Sequence, residues 1–180
     1  MKVALTGGIA CGKSLLSNFL RELGVETIDA DDVVHTLLPD PEERRRIAAE
    51  VFADPEKRKE LEARLHPLVK ARIDKWIEGL GVRIAIIPLL FEAHWEKNFD
   101  IICCVVSSRE KQIERMMTTR GMTLAEAEAR LAAQLPVEEK AKRSHYVIHN
   151  DGTAEELKVQ AAAFLKFVTQ KQMQPKPPND

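Results

Sequence analysis

The sequence lacks the residue spacings of a zinc site or a disulfide framework. Its three cysteines and five histidines form no C-x-x-C pair or other ligand spacing, so no structural zinc site is predicted. The charge is also balanced, with 27 basic and 28 acidic residues and a net charge of −1. Because nucleic-acid-binding proteins usually present an excess of basic residues, we expect no nucleic-acid partner.

Long apolar runs are missing as well. No run approaches the roughly 20 residues of a membrane-spanning helix, so no membrane partner is expected. The first predicted strand begins at Lys2, which leaves no space for a signal peptide, and the cysteines are expected to be free thiols. These features are typical of a cytoplasmic protein, and 180 residues are enough for one domain with a single core.

A glycine-rich segment near the start of the sequence matches the phosphate-binding pattern G-x-x-x-x-G-K-[ST]. It reads Gly7-Gly8-Ile9-Ala10-Cys11-Gly12-Lys13-Ser14. An apolar, β-branched stretch precedes it, and apolar residues at helical spacing follow it, so the motif has the strand, loop and helix context that it requires. Backbone N–H groups of such a loop surround an anion, Lys13 reaches the outer phosphates, and the Ser14 hydroxyl can bind Mg²⁺. The alternative is a chance match in a glycine-containing turn.

Short apolar runs alternate with helical patterns along the chain. Strands are predicted at residues 3–6, 25–29, 82–87, 101–106 and 146–149. The runs 84–87 and 101–106 are continuously apolar, as expected of parallel strands that are covered on both faces. Helix starts are predicted at Asp40, Asp54, Ser107, Thr123 and Thr153. The sequence therefore predicts an α/β fold with a five-stranded, mostly parallel sheet flanked by helices, the fold class of the P-loop nucleoside triphosphate hydrolases.

The predicted elements form one domain over residues 1–170. Its core comprises residues 1–32, 82–117 and 144–170. Residues 33–81 form a helical insertion between the second and third strands, and the polar helical stretch 118–143 lies between the fourth and fifth. That stretch is rich in arginine and lysine, which fits a functional lid and equally a solvated helical pair. The polar, proline-bearing residues 171–180 are expected to form a disordered tail.

The chain lacks the further motifs of two large classes of phosphate-binding-loop protein. GTPases carry N-K-x-D for guanine recognition, which is absent here, and motor-type ATPases end an apolar strand in an acid, whereas residues 84–87 run into Pro88. Small-metabolite kinases remain, and they need a carboxylate near the acceptor hydroxyl. Asp29 and Asp31 stand two residues apart at the end of the second predicted strand, so both can face the crevice beyond it. The alternative is that Asp31 or Asp32 caps the next helix.

Several longer motifs make the sequence similar to the dephospho-coenzyme A kinase family. They span residues 1 to about 152 and comprise Leu5-Thr6-Gly7-Gly8-Ile9 with Gly12-Lys13-Ser14, Ile28-Asp29-Ala30-Asp31, Val51-Phe52 before Asp54-Pro55, Leu61-Glu62 before His66-Pro67-Leu68-Val69, Pro88-Leu89-Leu90-Phe91-Glu92, Arg130 to Gln134 with Pro136 and Glu139-Lys140, and Val147-Ile148-His149-Asn150-Asp151-Gly152. In that family, the γ-phosphoryl group of ATP is transferred to the ribose 3′-hydroxyl of dephospho-coenzyme A, the last step of coenzyme A synthesis. The resemblance implies a kinase that uses ATP and Mg²⁺, and we expect it to be a monomer.

The resemblance also implies roles for individual residues. The implied ATP-binding residues are Gly8, Ile9, Ala10, Cys11, Gly12, Lys13, Ser14, Leu15, Asn150 and Gly152, with Ser14 as the metal ligand. Asp31 would orient or deprotonate the acceptor hydroxyl, and Lys13 would act on the phosphates. Arg120 and Arg130 would take part in catalysis from the lid. The acceptor side would be shaped by Asp31, His66, Pro67, Pro88 and Glu92.

Each implied role has a structural alternative. His66-Pro67 can be a helix junction with proline at the first helical position, and Pro88 can end a strand. Arg115, Arg120 and Arg130 can be surface charge. Cys11 is interpreted as a small filler of the loop, with a reactive thiol beside the helix N-terminus as the alternative.

One segment departs from the family pattern. Leu38-Pro39-Asp40-Pro41 leads almost directly into an arginine-rich helix, which shortens the region that would hold the pantetheine part of the acceptor. Two other functions therefore remain as alternatives. The chain can be a kinase of another small hydroxyl compound or nucleotide, or a non-catalytic ATP-binding paralogue.

Overall fold

Five parallel strands form the central sheet of the computed structural model, which describes residues 1–173 apart from the side chains of seven residues in two helices. The strands are β1 (Lys2–Gly7), β2 (Glu26–Asp29), β3 (Arg83–Ile86), β4 (Ile101–Val106) and β5 (Tyr146–His149). Each lies where the sequence predicts a strand, and every neighbouring pair is parallel. The apolar run of β4 is buried along its whole length, because helices cover both faces of the sheet.

Helices connect and cover the strands. Those before β3 are α1 (Lys13–Glu22), α2 (Ala30–Leu37), α3 (Pro41–Ala53) and α4 (Pro55–Ile77). After a 3₁₀ turn at Glu96–Asn98 come α5 (Arg109–Arg120), α6 (Leu124–Ala132), α7 (Val137–Lys142) and α8 (Ala154–Met173). The helix α8 runs three residues into the segment that was predicted to be a tail, since it ends at Met173; residues 174–180 lie outside the described part of the chain.

Side-chain caps mark most of the predicted helix starts. The predicted starts at Asp40, Asp54, Thr123 and Thr153 are confirmed, since each of these side chains accepts a hydrogen bond from a backbone N–H of the first helical turn. The predicted start at Ser107 is wrong by one residue, because Ser108 caps α5. The Ser107 hydroxyl instead donates to the carbonyl oxygen of Asn150 (2.8 Å).

The strand order β2-β3-β1-β4-β5 places β1 at the centre of the sheet. The chain builds one side of the sheet with β2 and β3, and then crosses β1 to build the other side with β4 and β5. Open parallel sheets bind ligands where the strand order reverses in this way, at the carboxyl ends of the strands. At that edge the phosphate-binding loop follows β1, β2 ends at Asp29, and β3 ends two residues before Pro88. The topology therefore places the predicted site residues that follow three strands at the same edge of the sheet.

The core forms two layers, one on each face of the sheet. Alternate residues of β1 show the division, since Val3 and Leu5 pack with α1 and α8, whereas Ala4 packs with α4 and the segment after β3. Both layers support the carboxyl ends of the strands from opposite sides. Within residues 1–173, no helix combines the length and the apolar composition needed to cross a bilayer.

The helical insertion between β2 and β3 consists of α2, α3 and α4. The helix α4 is one continuous helix of 23 residues, with Pro67 in its interior. The interpretation of His66-Pro67 as a helix junction is therefore wrong. Pro67 has no N–H to donate to the carbonyl four residues earlier, but it is exposed, and the buried side chains of Val69, Ile73 and Ile77 hold the helix against the sheet.

Candidate active site

The phosphate-binding loop has a backbone conformation that most residues avoid. Gly7, Ala10 and Gly12 have φ values of +146°, +57° and +93°. A Cβ atom on Gly12 would collide with the side-chain amide of Asn150. Glycine at this position therefore permits both the left-handed turn into α1 and the close approach of Asn150.

Three consecutive carbonyl groups of this loop are held by side chains from elsewhere in the chain. The hydrogen bonds run from Gln112 to Ile9 (2.7 Å), from Arg115 to Ala10 (3.2 Å) and from Asn150 to Cys11 (2.9 Å). Arg115 also donates to the carbonyl oxygen of Asn150 (2.7 Å), so it is not merely surface charge. These contacts of Gln112 and Arg115 could not be predicted from the sequence, although their spacing of three residues does place them on one face of α5.

The first turn of α1 keeps its backbone N–H groups available. This helix has no side-chain cap and no acidic residue in its first turn, whereas α2 to α6 all begin with a side-chain cap. Ser14 and Leu15 are exposed in this turn. Uncapped N–H groups at the positive end of the helix dipole favour a phosphate group at this position.

The Lys13 side chain lies along the loop. Its Nζ donates to the carbonyl oxygens of Gly7 (3.0 Å) and Gly8 (2.8 Å). Burial lowers the pKa of Lys13, and the negative charge of Asp31 acts in the opposite direction. Lys13 begins α1 after the loop that follows β1, and Asp31 lies in the first turn of α2 after β2, so both residues belong to the edge formed by the carboxyl ends of the strands.

Asp29 and Asp31 occupy different elements. Asp29 ends β2 and caps α2, since its carboxylate accepts from the backbone N–H of Asp31 (2.9 Å). The expectation that both side chains project from one strand is therefore wrong, as is the alternative that Asp31 or Asp32 is the cap. Burial raises the pKa of Asp29, and the neighbouring charges of Asp31 and Asp32 raise it further. Asp31 is exposed in the first turn of α2, so its carboxylate is accessible to a ligand.

Glu92 belongs to a polar network under the loop. Its Oε1 accepts from Lys140 Nζ (2.7 Å) and from the backbone N–H of Leu135 (3.0 Å). Lys140 is completely buried and also donates to the carbonyl oxygen of Pro88 (3.0 Å), which accepts from the Thr6 hydroxyl as well (3.3 Å). The network joins α7 to the ends of β1 and β3. Glu92 Oε2 has no hydrogen-bond partner in the described part of the chain.

Replacing Lys140 with methionine should lower the free energy of unfolding by about 3 kcal/mol, because removing one partner of a buried ion pair leaves the other charge uncompensated. Urea denaturation of the wild type and the variant measures the loss. The double variant Lys140→Met, Glu92→Gln should recover part of it, since no unpaired charge remains. Equal stability of the single variant and the wild type would show that the pair does not stabilise the fold.

Besides Asp31 in α2, the predicted acceptor-side residues come from α4 and from the segment after β3. The His66 ring packs edge-to-face against Trp95, with 5.6 Å between the ring centroids. Trp95 in turn belongs to the same buried layer as Phe91. His66 is thus connected through Trp95 to the segment that contains Pro88 and Glu92.

Arg120 and Arg130 are exposed, at the end of α5 and in α6. A cavity of about 270 Å³ separates α6 from the phosphate-binding loop, with Gly8 and Ile9 on one side and Leu131 on the other. The catalytic role of the two arginines stays a prediction.

Cys11 lies inside the loop and is completely buried. Burial raises the pKa of its thiol, against a smaller opposing effect of Lys13. Because the thiolate is the reactive form, a buried thiol with a raised pKa is unreactive. The structure therefore favours the interpretation of Cys11 as a small filler.

Known proteins match the chain over most of its length. The family model for dephospho-CoA kinase matches residues 1–43 and 40–156. The two matched segments overlap at residues 40–43, where α3 begins. A dephospho-CoA kinase of Geobacter sulfurreducens is 38% identical, over 86% of this chain and 92% of that protein.

Solved structures agree with the sequence matches. The Thermus thermophilus protein TT1252 is 32% identical and has a TM-score of 0.77, with 93% of this chain and 97% of that chain covered. The dephospho-CoA kinase of Campylobacter jejuni is 25% identical and has a TM-score of 0.72, with 96% and 100% covered. On its sequence, its fold and the arrangement of its phosphate-binding loop, this chain belongs to the dephospho-CoA kinase family.

Proposed function

We propose that this chain transfers the γ-phosphoryl group of ATP to the ribose 3′-hydroxyl of dephospho-coenzyme A, which gives coenzyme A and ADP. Membership of the family supports this reaction. The structural observation that carries it is the position of Asp31, which is exposed in the first turn of α2 at the carboxyl end of β2, on the same sheet edge as the phosphate-binding loop after β1. A kinase of a small alcohol requires this combination of a phosphate site and an adjacent carboxylate.

The loop fits the phosphate groups of a nucleoside triphosphate. Because three of its carbonyl oxygens are already bonded to side chains, and the N–H groups that begin α1 are uncapped, the backbone presents donors to an anion. We assign the phosphates to the backbone from Gly8 to Leu15 and to Lys13. Asn150 and Gly152, between β5 and α8, are assigned to the adenine side. The exposed Ser14 hydroxyl would hold Mg²⁺, which neutralises phosphate charge when bound.

The charges in this reaction decide which residues matter most. A loose phosphoryl-transfer transition state spreads negative charge over the equatorial oxygens, so electrostatic stabilisation outweighs removal of the hydroxyl proton. Lys13 supplies one positive charge, and Arg120 and Arg130 supply further charge when the lid closes. Asp31 orients the acceptor hydroxyl and accepts its proton. Lid closure also excludes water, which would otherwise take the phosphoryl group.

The acceptor occupies the side of the loop that faces α4 and the segment after β3. We assign His66, Pro67, Pro88 and Glu92 to this side. The helical insertion contains a cavity of about 520 Å³ between α2, α3 and α4, lined mainly by apolar side chains such as Val34. We assign the pantetheine part of the acceptor to this cavity. Its presence argues against a non-catalytic paralogue that has lost its acceptor domain.

A coupled assay of ADP release tests the proposed substrate. Dephospho-coenzyme A should release ADP faster than every member of a panel of nucleosides, sugars and shikimate-like acids, and mass spectrometry should detect the product with one added phosphoryl group. Reactions without acceptor measure the background hydrolysis of ATP. Faster turnover with another acceptor would favour the first alternative, and tight ATP binding without turnover on any acceptor would favour the non-catalytic one.

Assembly and location extend the proposal. We expect a monomer, which size-exclusion chromatography with light scattering can check. A cytoplasmic location and the lack of a nucleic-acid partner are predictions from the sequence alone.

A further inference from the structure

We propose that Gln112 is a positioning residue for ATP, because it fixes the conformation of the phosphate-binding loop without contacting the nucleotide itself. This inference rests on the proposed ATP site. The side chain of Gln112 is 3% exposed, and its Nε2 lies 2.7 Å from the carbonyl oxygen of Ile9. The bond joins α5 to a loop that stands 103 residues earlier in the chain.

The loop needs such support because part of its backbone is strained. Ala10 has a φ of +57°, a left-handed conformation that costs an L-residue roughly 1–2 kcal/mol. Strained backbone of this kind persists only where the surroundings over-determine it. Gln112 and Arg115 bind the carbonyl groups of Ile9 and Ala10, so they fix the orientation of the peptide groups around the strained residue.

Gly8 provides an independent sign that the contact is built into the loop. Its φ is outside the left-handed range, so the backbone conformation alone does not require glycine. A Cβ atom on Gly8 would, however, lie 2.5 Å from Nε2 of Gln112 and 3.0 Å from the sulfur of Cys11. Glycine at this position leaves the space that the amide of Gln112 occupies.

Because the side chain of Gln112 is neutral, its replacement can change the conformation of the loop without changing the charge near the phosphates. Arg115 holds the next carbonyl but carries a positive charge, so its removal would change both the loop and the electric field at the phosphates. Gln112 contributes no net charge. Any effect of its replacement on ATP affinity therefore acts through the loop conformation, because a freed Ile9 carbonyl can turn and present oxygen in place of N–H toward a phosphate.

The substitution Gln112→Met tests this role, since it keeps the length of the side chain and removes the donor. Isothermal titration calorimetry should show an increase in the ATP dissociation constant of about tenfold, which corresponds to about 1.4 kcal/mol. The KM for dephospho-coenzyme A should stay within about twofold of the wild type, because the acceptor does not bind the loop carbonyls. Amide hydrogen exchange of residues 8–12 should be faster in the variant than in the wild type. Exchange in the rest of the sheet edge should be unchanged.

Gln170→Met is the control for the substitution itself. Gln170 is exposed near the end of α8, so its replacement should leave the ATP dissociation constant unchanged. Equal ATP dissociation constants in the Gln112 and Gln170 variants would overturn the proposal, even if the Gln112 variant unfolds at a lower temperature. If Gln112→Met does not fold, the same comparison is made with Gln112→Leu, which also removes the donor and leaves the site neutral.

A rescue experiment distinguishes positioning from general destabilisation. Adding Ala10→Gly to the Gln112 variant should restore part of the ATP affinity, since glycine adopts a positive φ without strain. No recovery would contradict the link between Gln112 and the strained residue. Wild-type protein that does not bind ATP at all would refute the proposed function instead, so the two failures are distinguishable.

Discussion

Replacing Lys13 with methionine should lower turnover by about 10³-fold, because a positioned cation that stabilises transition-state charge contributes at least as much as one donor of an oxyanion hole. Methionine keeps the length of the side chain and removes its charge and its donors. The loss should appear in turnover with dephospho-coenzyme A at saturating ATP. Affinity for ATP should fall as well, since Lys13 also interacts with the phosphates of the ground state.

The fold should tolerate this substitution. Lys13 donates to the carbonyl oxygens of Gly7 and Gly8, and losing these hydrogen bonds destabilises the loop. Burial lowers the pKa of Lys13, however, which shows that the folded protein already disfavours the charge, and methionine removes this desolvation cost. The two effects oppose each other, so we expect the free energy of unfolding to change by no more than about 1 kcal/mol.

Lys158→Met is the matched control for Lys13→Met. Lys158 forms an exposed ion pair with Glu22 and lies 5.5 Å from the centre of the Phe19 ring, on α8. Its replacement removes the same charge and should leave turnover unchanged, because exposed pairs contribute little. Near-normal turnover of the Lys13 variant would refute the assignment of the loop to ATP phosphates. If the Lys13 variant loses turnover and is also unfolded, the loss of turnover is explained by the loss of the fold and not by the loss of the Lys13 charge.

The strands and the loop could be predicted because the features that specify them are local. The continuous apolar run of β4 and the strand, loop and helix context of the phosphate-binding motif are each contained in about 20 neighbouring residues. Thr123 and Glu126 form their capping box within three residues. Such features depend little on how distant parts of the chain pack.

The contacts that shape the site could not be predicted in the same way. Gln112 and Ile9 meet only because α5 packs beside the loop after β1, and Lys140 reaches Glu92 only because α7 packs against β1 and β4. Neither pair has a sequence spacing that indicates contact. Local ambiguity explains the error at β2, since two acids lie two residues apart and the end of the strand decides which of them caps the helix. The strand ends at Asp29, so that residue is the cap.

Replacing Asp31 with asparagine should lower turnover by roughly 10²-fold, since general bases contribute about 10²–10⁴-fold and a loose transition state favours the lower part of that range. Asparagine keeps the size of the side chain and its ability to hydrogen-bond, but it cannot accept a proton. Affinity for ATP should be unchanged or slightly higher, because the substitution removes a negative charge close to Lys13 and to the phosphates. Capping does not confuse the result, since Asp29 caps the helix.

Asp32→Asn is the control for Asp31→Asn. Asp32 is exposed in the same first turn of α2, so both substitutions remove one favourable charge from the positive end of the same helix dipole. Their effects on stability should therefore match, and only the Asp31 variant should lose turnover. Equal turnover in the two variants would contradict the assignment of Asp31. The base would then be sought at Asp29 or at Glu92. The raised pKa of Asp29 makes it a better proton acceptor, and Glu92 has one oxygen without a partner in the described residues. The substitutions Asp29→Asn and Glu92→Gln would test the two residues.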